Sequence, residues 1–412
     1  MANLSDRIRN LTPEQRELLR RRLEDRQAAG QGKSLCQRDE PVAPKVPRLL
    51  REMSFSLFFF SADGATQEEN RYELLMECAR FADKNGFSAV WTPERHFQAF
   101  GGLYPNPGLL GAALAVITRN IQIRAGSLVL PLHNPVRVAE DWAVVDNLSR
   151  GRAAISFATG WHEHDYVIAP HAYHDRRERM FRDISLVCRL WAGEEVTFPG
   201  VGGKQVAVRT LPRPIQRKLP FWITVSSPQT WFHAGEVGAN VLTAIAGGSL
   251  QDLCRNIANY RRARSEHGHD PRTGIVSLML HTYLGDDLEN VRMKVREPLK
   301  NYLRSFVEQF RPLQNGVDTS TPEFQQMLDL VFERYFQDHS LLGTPQKCAA
   351  MIARLNAAGV NDVACLVDFG PDLPSTLASL QRLAELSRSM HPRNDAMDEA
   401  ERGLADERQP AS

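Results

Sequence analysis

The chain has 412 residues, 42% of them hydrophobic and 24% charged, with a formal net charge of +1. That composition excludes a disordered, collagenous or coiled-coil chain, and its near neutrality gives no electrostatic pull toward nucleic acid or a membrane surface. The six cysteines, Cys36, Cys78, Cys188, Cys254, Cys348 and Cys365, are scattered without a C-x-x-C pair, which speaks against a zinc site or a disulfide framework and for a reducing, cytoplasmic setting.

In chain order, residues 1–50 come first, with 11 Lys/Arg against 7 Asp/Glu. Thr12-Pro13-Glu14-Gln15 reads as a capped helix start. Leu18, Leu19 and Leu23 give it a narrow apolar stripe, and Pro41, Pro44 and Pro47 follow as an extended linker. This arm is either a plain surface feature or a docking helix for a partner. No apolar stretch at the N-terminus has signal-peptide length, and no run reaches the roughly 18 residues of a membrane span.

Residues 51–390 alternate between two patterns. Eight short β-rich runs occur at Phe55–Phe60, Ser88–Thr92, Ile121–Leu130, Ala153–Ala158, Phe221–Ser226, Val241–Ala246, Gly274–Leu284 and Asp362–Asp368. Helical spacing fills the intervals, as in Glu68–Lys84, Pro135–Leu148, Arg177–Trp191 and Pro345–Ala358. Alternating strands and helices predict right-handed βαβ units. Eight of them predict an α/β fold, a closed (β/α)₈ TIM barrel, which takes about 250 residues plus insertions. Two insertions are expected, after strand 4 (Glu194–Pro220) and after strand 7 (Pro312–Ser340, with a helical pattern at Phe324–Phe336). Residues 391–412 hold 6 acidic and 3 basic side chains and too little apolar surface to order themselves.

Active sites of such barrels lie at the C-terminal ends of the strands. After the second run stand Glu94, Arg95 and His96, suited to proton transfer or anion stabilisation. Gly126 and Ser127 interrupt the third run. Glycine there marks either a close ligand approach or a packing layer that needs a small side chain. Thr159 and Gly160 end the fourth run, and Trp161 offers a stacking wall. His162 and His164 are two apart and do not share a helix face, so a metal site is not expected. Ser226, Ser227, Gln229 and Thr230 open a helix whose free amides suit a phosphate, with Gly247-Gly248-Ser249 after the next run. Walker, Rossmann and G-x-S-x-G signatures are missing at strand–helix junctions. A cofactor is therefore expected to carry the hard chemistry.

Taken together, these segments resemble the bacterial luciferase-like, flavin-dependent monooxygenases, in the branch found in peptide and polyketide natural-product pathways. The resemblance runs from Phe55 to about Leu386. It rests on Trp91-Thr92-Pro93-Glu94-Arg95-His96-Phe97, Leu130-Pro131-Leu132-His133-Asn134-Pro135-Val136-Arg137-Val138-Ala139-Glu140, Val145-Asp146-Asn147-Leu148-Ser149-Arg150-Gly151-Arg152, Ser156-Phe157-Ala158-Thr159-Gly160-Trp161 and Leu190-Trp191-Ala192-Gly193-Glu194-Glu195.

The resemblance implies a barrel that takes reduced FMN from a separate flavin reductase and uses O2 to oxygenate a substrate. It implies a non-prolyl cis peptide at Gly126-Ser127 under the flavin ring. Phosphate contacts would come from Thr159, Ser226, Ser227, Gln229 and Thr230, with Gly247 nearby. Luciferases carry Glu-His-His-Phe after the second strand. Arg95 replaces the first of those histidines here, so aldehyde-oxidising light emission is not expected. Luciferases also place an Arg where this chain has Thr159, which implies less positive charge at the phosphate. His96 would act as acid/base or hydrogen-bond donor, Arg95 as substrate partner and Trp161 as pocket wall. The family pairs through helices near strands 2 and 3, so the Ala- and Leu-rich Pro107–Thr118 predicts a homodimer. Leu11–Leu19 resembles the short helices that begin modules of peptide synthetases, which points to a carrier-protein-tethered acyl or aminoacyl substrate. The rival readings are a deazaflavin-dependent hydride-transfer enzyme and a non-catalytic flavin-binding protein.

Overall fold

The computed structural model describes residues 53–60, 70–245, 248–308, 319 and 321–390. The expected N-terminal arm (1–50), the acidic tail (391–412) and Gly247 lie outside them.

Each predicted apolar run that follows a turn becomes a parallel strand. They are β1 (Ser54–Phe58), β2 (Ala89–Thr92), β3 (Gln122–Val129), β4 (Ala153–Ala158), β7 (Phe221–Thr224), β8 (Asn240–Ala244), β9 (Val276–Leu284) and β11 (Asp362–Leu366). They pair in the order β1-β2-β3-β4-β7-β8-β9-β11, and β11 pairs back with β1. The result is the expected closed (β/α)₈ barrel. Every residue of β2 and β11 is buried, as parallel strands covered on both faces require.

The outer helices are α1 (Glu73–Lys84), α2 (Pro107–Ile117), α3 (Pro135–Ser149), α4 (Arg176–Ala192), α5 (Pro228–Glu236), α6 (Leu250–Glu266), α9 (Pro345–Ala358) and α10 (Leu373–Met390). Several begin alike: Asn106, Asn134, Ser227 and Thr344 each cap the first turn with a side-chain oxygen, and a proline stands at the first position. Proline fits there because its missing N–H has no helical partner.

Both insertions are present. The first holds an antiparallel hairpin, β5 (Val196–Pro199) with β6 (Gln205–Val208). The second starts earlier than the expected Pro312, directly after β9, and holds α7 (Leu288–Glu308) as well as α8 (Pro322–Asp338), packed together through Val291, Val295, Leu299, Leu328, Phe332 and Phe336. The chain returns through a ninth parallel strand, β10 (Leu341–Gly343), which pairs with the far end of β9 from Thr282 to Leu284. Three residues are too few to show a strand period, so this element has no counterpart among the predicted runs.

Inside the barrel sits a polar plug. The Arg124 guanidinium lies 4.7 Å from the Trp91 ring centroid and 4.4 Å from that of Trp222. Its Nη1 donates to Asp362 Oδ2 at 3.2 Å. The same carboxylate accepts from the hydroxyls of Ser54, Ser56, Ser88 and Ser277 at 2.8–3.2 Å. Trp91 Nε1 donates to Ser56 Oγ and Trp222 Nε1 to Ser277 Oγ. Burial pulls the Arg124 guanidinium down, and Asp362 opposes that pull. Removing one partner of a buried pair leaves an uncompensated charge, at about 3–5 kcal/mol. Asp362→Ala should therefore lose stability of that order in urea unfolding. An Arg124→Met/Asp362→Leu double variant should lose much less, because no lone charge remains.

Candidate active site

The loop after β2 brings three of the expected residues to the barrel mouth. Glu94 is buried, and both its oxygens are engaged. Oε1 accepts from His96 Nε2 at 3.0 Å and from His133 Nε2 at 2.7 Å, while Oε2 accepts from the Val129 N–H at 2.7 Å. Burial pushes its carboxyl up, but the hydrogen bonds from His133, His96 and Val129 outweigh that and hold it below the ordinary value. Burial pulls the His133 imidazole down, and its bond to Glu94 overcomes this and raises it. With both oxygens engaged, Glu94 positions the two imidazoles. His96 gives Nε2 to the carboxylate, which leaves Nδ1 for proton traffic.

His133 stands out as a site residue only in the structure. It sits between β3 and α3, in the segment Leu130–Pro135, 39 residues from Glu94. The signal was its place beside a helix cap in the motif Leu130-Pro131-Leu132-His133-Asn134-Pro135.

Arg95 is buried, with its guanidinium 5.2 Å from the ring centroids of both Phe60 and Trp161. Burial lowers it and the charge of Asp165 opposes this. Burial in turn raises the Asp165 carboxyl, against Arg95, His162 and His96. Trp161 is 40% exposed and also meets the His162 ring edge. Arg95, His96, Trp161 and Asp165 thus form one charged and aromatic wall, drawn from the β2 and β4 ends. Asp165 was not marked by any motif.

The peptide between Gly126 and Ser127 is cis, as the resemblance implied. A Cβ on Gly126 would lie 2.9 Å from Trp91 and 3.0 Å from Phe58, so the packing reading of this glycine holds whatever else it does. Ser127 Oγ meets Thr224 Oγ1, which meets Ser156 Oγ at 2.9 Å. Across the mouth, Ser227 caps α5 and its hydroxyl meets that of Thr230 at 2.9 Å. Ser226 and Gln229 are exposed beside them. Arg177, at the start of α4, reaches Thr230 Oγ1 at 3.4 Å. Arg177 stands 53 positions before Thr230 along the chain. Thr159 itself gives its carbonyl to the Tyr166 hydroxyl.

The Glu94–His133 pair makes stability pH-dependent. A raised imidazole contributes fully below its ordinary value and loses that contribution as pH climbs through the folded value. A depressed carboxyl contributes above its ordinary range and loses that contribution as pH falls through the folded value. The pair is thus strongest on a plateau from about pH 5 to about pH 6.5. The gap in urea midpoint between the native protein and His133→Ala should be widest there and should narrow on both sides.

A family model described as luciferase-like monooxygenase matches residues 52–362. The oxygenase component of flavin-dependent trigonelline monooxygenase from Acinetobacter baylyi is 23% identical over 339 residues, covering 80% of this chain and 93% of that protein. Among solved structures, the oxygenating constituent of 3,6-diketocamphane monooxygenase from Pseudomonas putida, in complex with FMN, superposes with a TM-score of 0.65 at 19% identity, over 82% of this chain and 98% of that one. An F420-dependent secondary alcohol dehydrogenase superposes with a TM-score of 0.62 at 19% identity, over 82% and 99%. The family model spans well over half of the sequence, and the chain belongs to the luciferase-like monooxygenase family.

Proposed function

We propose that this protein is the oxygenase of a two-component system. It takes reduced FMN from a separate flavin reductase and uses O2 to oxidise an acyl or aminoacyl intermediate, tethered to a carrier protein, in natural-product biosynthesis. The observation that carries the cofactor is the donor set at the start of α5. The hydroxyls of Ser227 and Thr230, the helix amides and the Arg177 guanidinium suit one phosphate monoester. The FMN-bound relative supports this reading. The F420 enzyme shares the fold, so fold alone does not choose between the two flavin types.

Bound reduced FMN would supply the electrons that activate O2. The chain's own residues do the rest. Ser226, Ser227, Gln229, Thr230, Thr159 and Arg177 would hold the phosphate, with Gly126, Ser127 and Trp161 toward the ring. Glu94 fixes His96 through Nε2, so His96 Nδ1 accepts or returns a proton. Arg95 presents a fixed positive charge in a low-dielectric wall, where it acts strongly. Helices α7 and α8 exclude water from one side of the mouth. The basic arm, residues 1–50, suits an acidic carrier protein. The described cysteines are free thiols, which fits the cytoplasm.

The test is mass spectrometry of acyl groups after incubation with protein, FMN, a flavin reductase and NADH. Carrier-bound acyl groups should gain one oxygen atom in air and none under anaerobic conditions. Anaerobic turnover with a deazaflavin would replace this reading with hydride transfer, and equal oxidation of free acids would remove the tether.

We also propose a homodimer through α2 and α3. Leu109 and Val116, one heptad apart on α2, are 72% and 67% exposed, and Val144 and Leu148 on α3 are exposed as well. Large side chains bared together on neighbouring helices suit a second copy. Light scattering at micromolar concentration should give twice the chain mass, and Leu109→Glu/Val116→Glu should halve it.

A further inference from the structure

In a closed barrel of alternating strands and helices, the loops that lead from a helix into the next strand lie at the end opposite the mouth. Three of those loops join here. Arg150 and Gly151, between α3 and β4, lie against the return of the first insertion, where a Cβ on Gly151 would stand 3.3 Å from Ile215. Arg152 donates from Nη2 to the Thr118 carbonyl at 2.9 Å, which ties the same loop to the one between α2 and β3.

The charge of this underside is one-sided. Residues 196–235 hold five Lys/Arg and no Asp or Glu. Arg119, Arg150, Arg209, Arg217 and Lys218 are exposed, and none of them has an ion pair among the described residues. The acids nearby are turned inward. Asp146 is buried and accepts the N–H groups of Ile215 and Gln216 at 2.7 and 2.9 Å. Asp83 accepts those of Arg119, Asn120 and Ile121 at 2.6–3.0 Å. Arg152 and Arg213 point inward as well, onto the carbonyls of Thr118 and Leu190. The inward charges thus offset one another, and the five exposed cations set the sign outside. Glu194 is paired with Arg189 at 2.7 Å, while Glu195 stands exposed just ahead of β5. On the same segment as Arg209 and Arg217, Leu211 and Ile215 are 68% and 55% exposed. The backbone that carries them is held by Asp146 and by Asn147 Nδ2, which donates to the Arg213 carbonyl at 2.9 Å.

We infer that this underside is the docking site for a second protein, one that presents acidic side chains around a small apolar contact. Opposite charges orient the encounter and speed it, and Leu211 and Ile215 supply apolar area to bury. Loops fixed by backbone hydrogen bonds suit a shaped partner. No aromatic ring of this patch is exposed among the described residues, so it has no stacking platform for a nucleic-acid base and no aromatic anchor for a lipid interface. A protein docked opposite the mouth leaves Glu94, Arg95 and His96 open to substrate, and its docking requires nothing of the flavin reading above.

Fluorescence anisotropy on the full chain tests this, with labelled peptides of Glu-Glu-Leu and Glu-Glu-Ser repeats that are equal in charge. The Leu peptide should bind more tightly, and both should weaken as salt shortens the Debye length below its value of about 8 Å at physiological ionic strength. Arg209→Glu/Arg217→Glu should lower both affinities at least several-fold. Should that variant not fold, Arg150→Glu/Lys218→Glu should show the same loss. Leu211→Ser/Ile215→Ser should remove only the advantage of the Leu peptide. Arg71→Glu/Arg388→Glu, which reverses two exposed cations elsewhere, should change little. Undiminished peptide binding in the underside variants would overturn the inference, and loss of phosphatidylglycerol vesicles or duplex DNA in its place would assign the surface to a membrane or a nucleic acid. An equal loss in the Arg71/Arg388 control would overturn it too.

Discussion

A single buried ion pair organises this molecule. Arg124 and Asp362 meet inside the barrel, and hydroxyls from β1 and β9 fill the remaining capacity of the carboxylate. A charge in that position is costly unless every partner is in place. The pair therefore fixes the mutual register of β1, β3, β9 and β11. Trp91 extends the same arrangement upward. One part of its ring system covers the guanidinium, and another confines Gly126 two residues further along β3. The strand end that bears Ser127 is thereby set by a contact at the heart of the barrel.

Above this plug, the mouth is built by the same logic of a shared acceptor. Glu94 leaves β2 and collects a backbone amide of β3, a histidine after β3 and a histidine from its own loop. Three segments are tied at one carboxylate. The neighbouring arginine lies against the rings of Phe60 and Trp161, within reach of the Asp165 charge. Rigid first contacts of this kind suit chemistry in which the protein orients groups and a bound cofactor supplies the electrons.

Much of this was legible in the residues, and the reasons differ from part to part. Strand positions followed from short apolar runs, because both faces of a barrel strand are buried. Helix starts were written as Ser-Pro at Ser227-Pro228 and Thr-Pro at Thr344-Pro345. Glu94, Arg95 and His96 could be read because they are adjacent. Contacts made across the sequence could not. Arg124 and Asp362 are 238 positions apart, Glu94 and His133 are 39 apart, and nothing local announces either pair. Arg177 reads as an ordinary surface charge at a helix start until α5 is placed beside it.

The second insertion leaves the barrel after Leu284, and β10 brings it back alongside the same strand, with the Gly285 N–H bonded to the Gly343 carbonyl. An excursion whose two ends are stitched together is a cassette. Its length and sequence can change without pulling on the strands that anchor it, since closing a longer loop adds only about 0.6 kcal/mol per doubling. The cassette also lines a cavity at the ends of β8 and β9 with Tyr302, Leu303, Phe306, Tyr335 and His339. Lineages descended from such a scaffold can thus acquire new clientele by grafting different helices at one seam, while the machinery beneath is inherited intact.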